Sequence, residues 1–172
     1  MIILRMILII GNRNGFSLLE LIVVAGIISC VAAIGSISFH SHLSETILKT
    51  SAQDIESTLI LARRLAITKR EIHRVVFQPD KCKYWIQDSR GYRVEGVAYL
   101  GKGISFDNPK IGKLGEEDGI VEAGIPDDAF SFYPEGTAEG GSIYLKDKKS
   151  DSWYTITIIP TTGNVRIYQG KH

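Results

Sequence analysis

The sequence predicts an α+β fold in which a long N-terminal helix, its first half transmembrane and its second half amphipathic, packs on a C-terminal antiparallel β-sheet domain. Three observations carry this. From Leu21 to Phe39 there is no charged residue. After it, Leu48, Ala52, Ile55, Leu59, Ala62 and Ala66 recur at alternating spacings of four and three, which puts one apolar stripe on a continued helix. From Ile72 onward, short runs rich in β-branched and aromatic residues are separated by Gly, Pro, Asn and Asp, the punctuation of strands and turns.

In chain order, residues 1–15 read as a short leader. Met1 to Ile10 is apolar apart from Arg5, and the polar Gly11-Asn12-Arg13-Asn14-Gly15 follows. A secretory signal has its charged region first and its small-residue cleavage site after the apolar region, so this order does not fit one. Met6 offers a second start with the same ending.

The long helix is expected over 16–71, with a transmembrane part at about 21–39. About 19 uncharged residues at 1.5 Å each nearly span a hydrocarbon core of about 30 Å. Arg5 and Arg13 precede it, and Glu45 and Lys49 are the first charges beyond it. The basic side should stay cytoplasmic and the C-terminal bulk should be exported. Gly26, Gly35, Ser29, Ser36 and Ser38 are small enough for close helix approach. Glu20 is the anomaly: an ionisable residue just inside an apolar helix is costly, and it calls for a partner.

Residues 72–172 form the expected β domain. Ile72–Phe77 and Lys83–Gln87 make a hairpin around Gln78-Pro79-Asp80-Lys81-Cys82. Further strands are expected at 94–100, 103–106, 129–133, 142–145, 153–159 and 165–168. Between Asp107 and Asp128 the chain is rich in Gly and acids, an exposed loop with a short strand near 119–121. Its carboxylates lack the alternation and closing Glu of a calcium loop, so it reads as solvated surface.

The net charge of +1 over 172 residues argues against a general polyanion binder. Cys30 lies mid-helix and Cys82 in a turn, too far apart in the pattern for a disulfide framework. Cys30 reads as a small buried residue. Ile27-Ile28-Ser29-Cys30 fits a lipoprotein cleavage pattern loosely, but the apolar run continues past it. None of His40, His42, His73 and His172 has a nucleophile or metal partner at recognisable spacing. No catalytic residue, cofactor or metal is therefore expected, and the chain is not read as an enzyme. Arg166 and Lys171, with Tyr168 between them, are the one candidate the sequence offers for nucleic-acid contact.

Gly15-Phe16-Ser17-Leu18-Leu19-Glu20-Leu21 followed by the apolar run resembles the processing site of type IV pilins and type II secretion pseudopilins. Phe130 to Gly136, Ser142 to Leu145, Ile156 to Ile158 and Thr162 to Arg166 resemble the C-terminal pattern of the GspH/FimT-like minor pseudopilins. The resemblance implies a pilin-like fold and removal of 1–15 by a prepilin peptidase, which cuts between Gly15 and Phe16 and methylates Phe16. It makes Glu20 the acid that meets the N-terminal amine of a neighbouring subunit during filament assembly. It also implies a periplasmic GspH-like domain at 72–172 on a single-pass inner-membrane anchor with a cytoplasmic N-terminus. The implied function is a minor pseudopilin of a type II secretion pseudopilus at or near the filament tip. The alternative is a FimT-like minor pilin acting in type IV pilus assembly or as a DNA receptor. Implied partners are the peptidase, other major and minor pseudopilins or pilins, an inner-membrane assembly platform and exported proteins. Asn164 departs from the arginine common in DNA-binding members.

Overall fold

The computed structural model of the chain describes residues 17–109, 118–123 and 127–172, with the backbone alone at 32–43. The chain divides into two compact units, Met1–Phe39 and His40–His172. The apolar core lies in the second.

Helix α1 spans Leu18–Lys69. Its stripe Leu48, Ala52, Ile55, Leu59, Ala62 and Ala66 is fully buried, as the spacing predicts, and the three alanines let the helix axis come close to the strands. Arg70 takes a left-handed conformation (φ 55°) and ends the helix; the chain then turns into the first strand.

Among the described residues nine strands follow: β1 His73–Gln78, β2 Lys83–Asp88, β3 Ala98–Tyr99, β4 Ile104–Phe106, β5 Ile120–Glu122, β6 Ala129–Phe132, β7 Gly141–Asp147, β8 Trp153–Ile159 and β9 Asn164–Gln169. They form two antiparallel sheets. One has the order β3-β2-β1-β6, and the other β4-β7-β8-β9 with β5 also paired to β7. The turn signal between β1 and β2 becomes a short 3-10 turn at Pro79–Lys81, closed by Cys82 at φ 49° with its N–H on the Pro79 carbonyl. Strand β7 accepts β4 at Leu145–Asp147 and β5 at Ile143–Gly141, so two short strands share one long partner.

The strand expected over 94–100 is cut to Ala98–Tyr99. Arg93 makes an isolated bridge to Gln87, and the Val94 amide bonds the Ile86 carbonyl, but exposed Glu95-Gly96 breaks the ladder because neither residue has apolar surface to bury. The short strand expected at 119–121 is present as β5.

The core joins the helix stripe to both sheets. Phe77 sits at its centre, stacked on Tyr84 at 5.8 Å and edge-on to Phe106 and Phe130 at 5.7 and 6.0 Å, the offset and T-shaped arrangements that aromatic quadrupoles favour. Tyr84 brings a hydroxyl into this region, and burial together with the nearby Asp54 charge pushes its pKa up to about 12.

Two buried carboxylates organise turns. Asp88 accepts the amides of Arg90 and Tyr92, both at 2.9 Å. Asp147 accepts the Lys149 amide at 3.0 Å and the Ser150 hydroxyl at 2.5 Å. Burial works to raise both pKa values but is outweighed by these donors, so each carboxyl is held below the ordinary carboxylate range. The folded value lies below the unfolded one, so the stability each contributes is full above the unfolded pKa of about 4 and fades as pH falls through the folded value. Glu122, raised chiefly by burial, contributes with the opposite sign. Urea midpoints measured from pH 6 down to pH 2 are expected to drop below about pH 4, and D88N and D147N should each flatten that slope.

Candidate functional site

In the first unit α1 begins straight after Ser17, whose carbonyl accepts the Leu21 amide at 3.2 Å. Glu20 lies exposed in the first turn, where the helix dipole favours a negative charge. Around it the helix is apolar on every side and bare. Leu18, Leu19, Leu21, Ile22, Val23, Val24, Ile27, Ile28 and Val31 are between 45% and 80% exposed. A helix hydrophobic all round needs an apolar surrounding that this part of the chain does not provide for itself. Ser29 returns its hydroxyl to the Ala25 carbonyl at 2.7 Å, which satisfies it within the helix. Gly26 has open space where a side chain would stand.

Cys30, expected to be buried, is exposed. Gly15 and Phe16, the expected cleavage pair, lie outside the described residues. The side chains of 32–39, the later part of the expected membrane segment, also lie outside them. Among the described residues no helix is long and apolar enough to cross a membrane.

In the second unit the two expected nucleic-acid contacts are not brought together. Lys171, beyond the end of β9, lies over the Trp153 ring at 4.5 Å, and Lys146 lies over the same ring at 4.9 Å. Lys146 also pairs with Asp107 at 3.3 Å and Asp151 at 3.4 Å, and the Asp107 hydrogen bond chiefly raises its pKa. Carboxylates thus offset this cationic end.

Arg166 is exposed in β9 opposite Thr157 and instead joins two helix arginines. With Ile60, Arg63, Arg64, Ile67, Gly163, Asn164 and Val165 it lines a groove of about 300 Å³. Arg63 is fixed there, its Nε–H donating to the Gly136 carbonyl at 3.1 Å. Gly163 permits the approach: its φ is +60°, and an added Cβ would stand 2.9 Å from Arg63 Nε. In the sequence Arg63 and Arg64 fall between Ala62 and Ala66 of the core stripe, and neither was singled out as a site residue. The available signal was the set 60, 63, 64, 67, two isoleucines bracketing two arginines at i, i+3, i+4 and i+7, a second stripe beside the core stripe.

Two further groups stand apart from the groove. Trp85, on the face of β2 turned away from the core, has Lys83 Nζ at 5.5 Å and Arg93 Cζ at 4.8 Å from its ring. His73 is fully buried; Nδ1 faces the Glu71 carbonyl at 3.1 Å, while Nε2 has no hydrogen-bond partner among the described residues and the Glu71 carboxylate lies 3.9 Å from it.

Residues 10–36 match the family pattern described as the prokaryotic N-terminal methylation motif. Among solved structures, the minor pseudopilin EpsH from the type II secretion system of Vibrio cholerae is similar at 16% identity and a TM-score of 0.54, over 74% of this chain and 97% of that one. A second EpsH structure is similar at 18% identity and 0.50, over 71% and 96%. The type IV minor pilin FimU of Pseudomonas aeruginosa is similar at 14% identity and 0.52, over 72% and 90%. At these identities the likeness is one of fold. No curated protein matches the sequence. The chain thus has a pilin-like fold of helix and antiparallel sheets, with a match to a methylation motif over residues 10–36.

Proposed function

We propose that this pilin-like chain is a minor pseudopilin, a non-enzymatic subunit of a type II secretion pseudopilus. One observation carries the reading: within the stretch that matches the methylation motif, residues 10–36, a helix begins at Leu18 whose described large apolar side chains are exposed and whose one charged residue among 18–31 is Glu20. Such a helix suits a bilayer first and a bundle of like helices afterwards.

On this reading prepilin peptidase cuts between Gly15 and Phe16 and methylates Phe16. The helix anchors the chain once in the inner membrane, N-terminus cytoplasmic and β domain periplasmic, until an assembly platform lifts it into a filament beside other pseudopilins. Glu20 then meets the amine of Phe16 on an adjacent chain, each charge neutralising the other in an apolar bundle. The likeness to EpsH supports the secretion assignment; the likeness to FimU supports a type IV pilus minor pilin as the second reading.

Co-expression with a prepilin peptidase tests the shared premise. Intact mass is expected to show a chain that begins at methylated Phe16, and a chain still beginning at Met1 or Met6 would refute it. Deletion in the host then separates the two readings, since loss of secreted protein with surface pili intact is expected for the first.

A further inference from the structure

We infer that the groove lined by Ile60, Arg63, Arg64, Ile67, Val165 and Arg166 is a docking site for an acidic, leucine-like segment of a neighbouring filament subunit. The inference rests on the filament reading for the identity of the partner and on the groove alone for its chemistry.

Two features of the groove define its occupant. The first is charge. Three guanidinium groups from α1 and β9 line about 300 Å³, and no carboxylate lines the space among the described residues. Arg63 spends its Nε–H on the Gly136 carbonyl, while Arg64 and Arg166 make no ion pair among the described residues. Like charges gathered without counter-charge are unfavourable, and a partner carboxylate would relieve that, with the planar fork of arginine suited to bidentate contact.

The second feature is apolar surface. Ile67 is 44% exposed, and Ile60 and Val165 are half-buried beside it. A bare phosphate backbone would gain nothing from these groups, whereas a peptide that alternates acids with branched apolar side chains would cover them. The protein as a whole carries a net charge of +1, so it lacks the broad basic field that draws in polyanions. The recognition is local and short, with room for about two or three side chains at the small end of ligand-sized clefts.

The groove is also preformed. Gly163 brings the β8–β9 turn against Arg63, and the carbonyl of Gly136, between β6 and β7, holds that side chain, so little ordering is left for binding to impose.

The test uses the full-length chain in neutral phosphatidylcholine nanodiscs, with fluorescence anisotropy of a labelled peptide of about ten residues alternating glutamate and leucine. Binding is expected, with affinity at least about tenfold lower in R64E/R166E. Both side chains are exposed, so the variant should keep the parent circular dichroism and melting transition. Ile67→Ser should weaken the glutamate–leucine peptide but leave an all-glutamate peptide unchanged. Absence of binding, unchanged affinity in R64E/R166E, or an oligo(dT) of matched charge that binds as tightly as the glutamate–leucine peptide would each overturn the inference. Processing to Phe16 by the co-expressed peptidase reads the filament assignment separately, because the groove takes no part in cleavage.

Discussion

Replacing Phe130 by alanine is expected to cost about 3–5 kcal/mol of folding free energy, the range for removing a buried aromatic ring. Phe130 is fully buried in a strand whose four residues are all buried. Its ring lies edge-on to Phe77, and Gly141 approaches it so closely that a Cβ there would collide with the ring. Rings and backbone on both sides are locked into their own sheets, so the site has little freedom to collapse into the void. Domains of this size are held by about 5–15 kcal/mol in total, so the variant should populate unfolded chains measurably at 37 °C. A urea titration followed by tryptophan fluorescence checks it. A midpoint lowered by less than the equivalent of about 1 kcal/mol would mean that the core repacks more freely than this geometry allows.

The second large effect is expected at the other end of the chain. Glu20→Ala should leave the β domain folded, because Glu20 lies in the first unit and all core residues lie in the second. On the proposed reading it should also leave cleavage intact while filament incorporation falls by about tenfold or more, the Phe16 amine of the adjacent chain having lost its counter-charge in an apolar bundle. Glu20→Asp retains the charge on a shorter arm and should fall between the two. Quantifying the subunit in sheared filaments against its membrane pool gives the ratio; incorporation at the parent level would refute the pairing with Phe16.

The sequence foretold features with local periods and missed those assembled from distant positions. The stripe from Leu48 to Ala66 appears residue for residue as the buried face of α1 because helix geometry alone sets it. The pairing of β8 with β9 was legible for a similar reason, two alternating runs joined by Pro160-Thr161-Thr162-Gly163-Asn164. The pairing of β1 with β6 was not legible, since no turn links His73–Val76 to Ala129–Phe132. The arginine groove was missed because Arg63 and Arg166 meet only after the sheet has formed. Lys171 was grouped with Arg166 through nearness in sequence, and the extended strand carries it instead to Trp153. Cys30 was judged by residue type, and it is exposed on the helix.

The sharing of β7 by β4 and β5 has a practical consequence. Tyr144 accepts the Asp107 amide at 3.3 Å and donates its own amide to the Gly119 carbonyl at 2.8 Å, so the chain leaves and re-enters the sheet at a single residue. Gly119, at φ +83°, makes the tight return possible, since a Cβ there would strike the Asp107 backbone. With both ends clamped, lengthening the connection costs only about 0.6 kcal/mol per doubling. This is therefore the place to splice in an epitope or a fluorogenic tag, so that the subunit can be followed by microscopy while the sheet stays closed.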